Sequence, residues 1–412
     1  MAGPDPNLGA APYKAAIVNL GCIVSGDWRD PFVKGDAILM ENGKLAKVGS
    51  VSDADLAGCD IVVDANGITA CPGFIDSHVH IAFADYTPRL QTVNFLKHYF
   101  YGGTTTCISA CEIHVPGAPH DVEGVKALAV AAKRCWDNQR PGGMRVHAGN
   151  VILEPGLTED DFRELKSKGV WLAKAGFGNV QTPYDYVPLI AAAKKAGLIT
   201  NVHTGAASLS LANSINGEHL IAMQPDVSFH VNGGPIAMPD EHFERVIDET
   251  KAALQICQAG NIRTSLLTLN LAVKKDCFDR FLIATDTPTG TGMMPQGMIK
   301  TITEMSCLSE HPPEWLIAAA TGNVAKVFGL NSGFLRPGCD ADVLLLDAPF
   351  GGTQTTALAA IKHGDVTAAA GAFTAGTLRY LGRSCSTPSP GRFPKFVTNN
   401  IKNQFAAPPL LM

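Results

Sequence analysis

The chain has 412 residues, 46% of them hydrophobic, and its 33 basic and 38 acidic side chains give a formal net charge of -5. This is ample for a large buried core. It offers no basic surface of the kind that nucleic acid requires, and no uncharged apolar run is long enough to cross a membrane.

The opening segment, MAGPDPNLGAAPYK, has neither a basic start nor an apolar stretch, so no secretion signal is expected. The 11 cysteines are scattered without repeated CxxC spacing, which suits small core residues in a reduced compartment. A cytoplasmic small-molecule protein is the expectation, with no nucleic-acid or membrane partner.

From Lys14 the chain reads as short strands: KAAIVNL, then DAILMENGKLAKVG with Asn42-Gly43 at its centre, then IVVDANG at 61–67. An Asn-Gly pair between apolar runs is a strong hairpin signal. Past Ile68 the texture changes to apolar strands alternating with helices. Strands are expected at 70–77, 103–109, 144–152, 170–174, 198–203, 226–231, 252–257 and 280–285. Helices are expected at 121–137, 158–168, 185–196, 240–249, 296–309 and 313–328. Eight such strands argue a parallel sheet covered on both faces and closed as a (β/α)8 TIM-like barrel. After Gly329, FLRPGCDADVLLLDAP and the runs 367–371 and 376–380 return to the strand texture of the N-terminal unit. The division expected is 13–67 and 331–385 as two parts of a small β unit, 68–330 as the barrel, and 386–412 as a peripheral tail.

The chemistry sits at the expected strand ends. In Asp76-Ser77-His78-Val79-His80 the two histidines share a face, because side chains at i and i+2 of a strand point the same way. His203 ends GLITNVH, His230 ends DVSFH, and Asp286 ends FLIATD. The C-terminal ends of barrel strands are where residues from separate strands converge, and imidazole with carboxylate suits zinc, iron or manganese. Lys174 lies inside the apolar run GVWLAK. A buried amine is pushed toward its neutral form, which can add carbon dioxide and become a carbamate; reaching out to solvent or pairing with an acid such as Glu154 is the alternative.

A two-ion site is therefore expected, zinc first and iron or manganese as alternatives. One ion would take His78, His80 and Asp286, the other His203 and His230, with Lys174 and a hydroxide between them. Asp286 would serve as general base and acid. Arg89, in ADYTPRLQT, could fork onto a substrate carboxylate. Thr204 and Asn232 are candidates to orient substrate, as are Thr289 and Thr291. His114 and His147 are alternative ligands, and His98, His219, His242 and His311 read as structural. No dinucleotide, phosphate-loop, HExxH or GxSxG pattern is present, and Cys107 and Cys111 have no implied base.

Taken together, FIDSHVH, Lys174, NVHTG, FHVNGG, ATDTPTG and the tail from AATGNVAKVFGL to GFLRPGCDADVLLLD resemble the amidohydrolase superfamily, over roughly 14–380. Within it, DYTPR, HVPGAP, LTEDDF, HVNGGPIA and TPTGTG look like the enamidase-type cyclic amidases. The resemblance implies a β-sandwich built from both chain ends beside the barrel. It also implies a binuclear zinc and iron centre, His78, His80, His203, His230 and Asp286 as ligands, Asp286 as base, and a homotetramer. The implied reaction is hydrolysis of a lactam C–N bond, with Arg89 contacting a substrate carboxylate. Imidazolones, hydantoins, dihydroorotate-like rings and acyl amino acids are the alternative substrates, and a non-enzymatic scaffold is the remaining reading.

Overall fold

In the computed structural model, which describes residues 14–81, 95–110, 117–138, 140–207, 212–234, 236–288 and 294–400, the chain begins by pairing Ala37–Glu41 with Lys44–Gly49 in a hairpin. Asn42 and Gly43 make its turn at φ 52° and 77°. Two successive left-handed residues match the twist of a two-residue hairpin, and Asn-Gly accepts that conformation at low cost.

This hairpin joins a five-stranded sheet with Lys14–Val18, Ile61–Asp64 and, at its edge, Lys395–Asn399. A second five-stranded sheet combines Cys22–Ile23 and Thr69–Pro72 with Val343–Asp347, Ala368–Thr374 and Thr377–Leu381. Thr69–Pro72 runs antiparallel to Val343–Asp347, with Val343 opposite Pro72. The two chain ends thus build one small sandwich. Lys395–Asn399, in the segment read as a peripheral tail, lies antiparallel to Ile61–Asp64. Arg392, just before it, bonds to Asp347 and to the Gly67 carbonyl.

The barrel strands are Phe74–Val79, Thr104–Ser109, Arg145–His147 continued by Asn150–Ile152, Leu172–Ala175, Ile199–His203, Val227–Phe229, Ala253–Cys257 and Phe281–Ala284. All neighbouring pairs are parallel. The ring closes where Asp286 N donates to His78 O at 2.9 Å and His80 N donates to Thr287 O at 2.9 Å. Two expected strands differ in detail. The run 70–77 divides at Gly73, its first half pairing in the sandwich and its second half entering the barrel. The run 144–152 is interrupted at Ala148 and Gly149.

Helices cover the barrel. Glu159–Ser167 starts at a reciprocal cap in which Thr158 and Asp161 bond each other's backbone amides. Glu241–Glu249 buries Phe243, Val246 and Ile247 and exposes its acidic face. Phe95–Tyr101, Gly217–Met223, Ile262–Lys274 and Ala357–His363 are additional to the expected helices. The expected helix 313–328 is two, Pro313–Ala319 and Gly322–Phe328. Among the described residues, no helix is long and apolar enough to cross a membrane.

One apolar cluster joins barrel residues Ile75, Ile108, Leu172, Phe229 and Leu282 to sandwich residues Ile38, Leu345 and Phe373. The sandwich therefore braces the barrel strands that carry the polar residues described next. Each large apolar side chain in such a cluster stabilises the fold by roughly 1.5–3 kcal/mol.

Candidate metal centre

His78 and His80 leave the first barrel strand at its C-terminal end and meet Asp286, which follows the eighth. His78 Nε2 is 3.2 Å and His80 Nε2 is 2.9 Å from the same Asp286 oxygen, Oδ1. The three side chains are buried, and their ligand atoms all lie within 4.8 Å of one another. His230 stacks on His78 with ring centroids 5.2 Å apart, and His203 meets His230 edge-on at 4.6 Å. Residues from four strands therefore share one buried volume at the barrel mouth.

Supporting contacts fix which nitrogen of His78 and of His230 points inward. His78 Nδ1–H donates to Gln255 Oε1 at 2.8 Å. Gln255 is held in that orientation because its amide nitrogen donates to Ser77 Oγ at 2.7 Å. His78 has then used its single N–H, and its Nε2 lone pair faces the Asp286 carboxylate. Two acceptors in contact repel, and a positive ion between them removes the conflict. His230 Nδ1–H donates to the Thr204 carbonyl at 2.8 Å, which likewise leaves Nε2 for the site. Neither ring nitrogen of His203 makes a well-formed hydrogen bond among the described residues. Metal-bound histidines commonly donate their outer N–H to a carbonyl or carboxamide in this way.

Electrostatics agree with ligand protonation states. Burial, followed by the nearby Lys174 charge and the other histidines, holds His78 well below the usual imidazole range. Burial, His230 and Lys174 do the same to His203, and burial first brings His230 down to about 4. Neutral imidazoles are what a metal requires. Burial raises the Asp286 carboxyl to about 6, against the opposing pull of His230 and Lys174.

The backbone is strained at two of these positions. His230 sits at φ 34° and Asp286 at φ 61°, where an L side chain costs of order 1–3 kcal/mol. Gly176 supplies room of another kind. At φ 113°, a β-carbon there would come within 2.4 Å of His203 Cβ, so only glycine lets the His203 strand approach.

Lys174 is fully buried on Leu172–Ala175. Its Nζ lies 4.2 Å from the Phe229 ring centroid and 5.7 Å from that of Phe177. Phe229 in turn packs against His78 at 4.2 Å and makes the floor of the site. Glu154, the alternative partner for Lys174, instead accepts from His120 and from the Asn179 amide.

The remaining sequence candidates separate cleanly. Thr204 contributes its carbonyl to His230, while its hydroxyl is 2.8 Å from Ser228 Oγ. Asn232 has both carboxamide N–H groups engaged, by Cys257 O at 2.9 Å and Ser265 Oγ at 2.8 Å. It ties the loop after His230 to the next strand, and in this arrangement it has no donor left for a ligand. His147 packs on Trp171 at 5.5 Å, outside the cluster. His219 and His242 accept from the backbone at the start of Gly217–Met223. Arg89, His114, Cys111, Thr289 and Thr291 lie outside the described residues.

Two residues of the site were not anticipated from the sequence. One is Gln255, in Ala253–Cys257. The other is Asp76, whose buried carboxylate accepts from His78 N at 3.0 Å, from Thr285 N and Oγ1, and from Tyr99 OH. Burial raises the Asp76 carboxyl to about 6 despite these donors. A polar side chain in the apolar run ALQIC was the available signal for Gln255.

Comparison with known proteins supports the same reading. The model of the amidohydrolase family matches residues 69–370. The chain is similar to enamidase of Eubacterium barkeri, 39% identical over 354 residues that cover 86% of this chain and 92% of that one. It is also similar to imidazolonepropionase of Salinispora tropica, 26% identical over 76% of this chain and 86% of that one. The crystal structure of enamidase superposes with a TM-score of 0.90 at 37% identity, covering 93% of this chain and all (100%) of that one. A barrel with histidine and aspartate gathered at its mouth, a sandwich made from both ends and these matches leave one conclusion: the chain belongs to the amidohydrolase family.

Proposed function

We propose that this chain hydrolyses the C–N bond of a cyclic amide, in the manner that the name enamidase implies for its relative. The carrying observation is the contact between the His78 Nε2 lone pair and the Asp286 carboxylate inside a buried cluster, on a chain 39% identical to enamidase. The donor set fits divalent ions, with zinc first and iron or manganese as alternatives.

His78, His80 and Asp286 would hold one ion, and His203 and His230 a second. Lys174 is proposed between them in N-carboxylated form. Its support is its complete burial beside the candidate ligands. A cationic ammonium and a divalent ion repel at such range, whereas a carbamate adds the missing negative charge. When bound, such ions lower the pKa of water toward neutrality and polarise a carbonyl.

Within this reading Asp286 accepts the proton of the attacking water and passes it to the leaving ring nitrogen. Its site suits that exchange, because burial has already weakened the carboxylate's preference for the charged form. Gln255 and the Thr204 carbonyl keep His78 and His230 aimed, so the ligand set is ordered before substrate arrives. Phe229 and Phe177 exclude bulk water from the Lys174 side. Arg89 is proposed as an anchor for a carboxylate on the ring, and a homotetramer and a cytoplasmic setting remain part of the proposal.

A substrate screen on the metal-loaded protein tests this reading, with ring opening and ammonia release as readouts. Turnover of a six-membered unsaturated lactam bearing a carboxylate is expected, and turnover confined to imidazolones would replace it. The similarity to imidazolonepropionase is the observation that favours this second reading.

A further inference from the structure

Beside the candidate ligands, a buried knot of hydrogen bonds ties the first barrel strand to the eighth. Its centre is Asp76, which is fully buried on Phe74–Val79. One carboxylate oxygen, Oδ1, accepts from the backbone amides of His78 at 3.0 Å and Thr285 at 3.2 Å. The other, Oδ2, accepts from Thr285 Oγ1 at 2.6 Å and from the Tyr99 hydroxyl. Tyr99 reaches it from the helix Phe95–Tyr101 and is itself 2.7 Å from Thr285 Oγ1. A carboxylate is costly to bury unless several donors meet it, and the protein supplies them here.

The knot governs the backbone on either side of Asp286. Thr285 N donates to Asp76, Asp286 N to the His78 carbonyl at 2.9 Å, and Thr287 N to Thr285 Oγ1 at 3.2 Å. Three successive amides are thus fixed around a residue at φ 61°. A left-handed aspartate persists only where its surroundings over-determine it. Thr285 Oγ1 is the hub, because it contacts Asp76, Tyr99 and Thr287 together. The packing of Thr285 is separable from this hydroxyl. Its methyl, Cγ2, lies so close to Gly297 that a β-carbon there would come within 2.8 Å of it. Thr285→Val keeps that methyl and loses the oxygen, and Thr285→Ser does the reverse.

We propose that Tyr99 and Thr285 are positioning residues, which act with Asp76 to hold Asp286 turned toward His78 and His80. The proposal rests on the reading of Asp286 as a metal ligand. Partners one step removed from a ligand typically govern metal affinity or activity by about 10–100-fold.

Deuterium exchange of the peptide 283–287 in metal-free protein reads the knot independently of activity. Exchange should be about tenfold faster in Thr285→Val and in Tyr99→Phe, and within about threefold of wild type in Thr285→Ser. Zinc affinity, by chelator competition, should fall about 10–100-fold in Thr285→Val and return to within about threefold in Thr285→Ser. With a carboxylate-bearing lactam, kcat should fall in the same order while KM stays within about twofold. Because Tyr99 and Thr285 serve one carboxylate, the double variant should lose less than the product of the two single losses. Unchanged exchange in Thr285→Val, or equal losses in Thr285→Val and Thr285→Ser, overturns the assignment. So does a lowered unfolding midpoint in Thr285→Val with zinc affinity intact. A wild type that binds no zinc but keeps the exchange pattern contradicts the metal reading alone.

Discussion

The barrel mouth and the terminal sandwich solve the problem of buried charge in opposite ways. In the sandwich, Asp347 is 1% exposed and its carboxylate is met by the Arg392 guanidinium and by the Arg392 backbone amide at 2.7 Å. Asp340 likewise sits between Lys44 and Arg145, joining the hairpin to the barrel. These acids are satisfied by the protein itself. At the mouth, Asp286 faces the imidazole nitrogens of His78 and His80, and both Asp286 and His230 hold left-handed backbone. The mouth gathers imidazole nitrogens and a carboxylate suited to a cation, whereas the sandwich acids carry their own basic partners. Stability is concentrated in one region and chemistry in the other.

Substitutions should separate the two. Asp286→Asn should cut kcat/KM by about 10²–10⁴-fold, the range for losing a general acid–base group. Its thermal midpoint without metal should not fall, because a buried charge has been removed. A steep loss of the metal-free midpoint would show that Asp286 is instead a structural acid.

Arg392→Ala should do the reverse. Leaving Asp347 buried and unpaired should cost roughly 3 kcal/mol in urea unfolding, while kcat/KM in the folded enzyme stays within about twofold. An activity loss matching that of Asp286→Asn would erase the division of labour.

The residues recognisable in the sequence belong mostly to the mouth. His78, His80, His203, His230 and Asp286 stand at abrupt changes from apolar strand to polar loop, a boundary that pattern reading detects. The strand and helix alternation was equally legible, since the barrel strands read as continuous apolar runs and the helices keep one apolar face. What escaped depends on partners distant in sequence. The apolar run from Thr69 to Val79 feeds two different sheets, and only the pairing with Val343–Asp347 decides where it divides. Gln255 acquires its role through His78, 177 residues away in sequence. The partners of Thr204 and Asn232 were hidden for the same reason. Their places after strand ends do not reveal that they bond to Ser228, Cys257 and Ser265. Ile262–Lys274 had a readable start at Asn261, whose side chain caps two amides.

Gln255→Leu sharpens the point about distant partners. Removing the acceptor that orients His78 should weaken metal binding by about 10–100-fold, read by chelator competition, with little change in unfolding midpoint. Unchanged metal affinity would mean that His78 is aimed by packing on Phe229 alone.

The smallest effect concerns the helix Glu159–Ser167, far from both regions in function. Asp161→Asn should cost about 1 kcal/mol by weakening the cap shared with Thr158 and the ion pair with Lys126. Burial raises the Asp161 carboxyl, but Lys126 and Thr158 outweigh it and hold it at about 2. Because the folded value is depressed, its contribution is complete above the unfolded value of about 3.9 and is lost as pH falls through about 2. The stability gap between wild type and variant should therefore close across that acid window, as unfolding at successive pH values would show.

Anomalous X-ray scattering from crystals grown with zinc addresses the mouth directly. A peak in bonding range of His78, His80 and Asp286, with a second beside His203 and His230, is the predicted result. Crystals of fully active protein with no peak among these residues would contradict it.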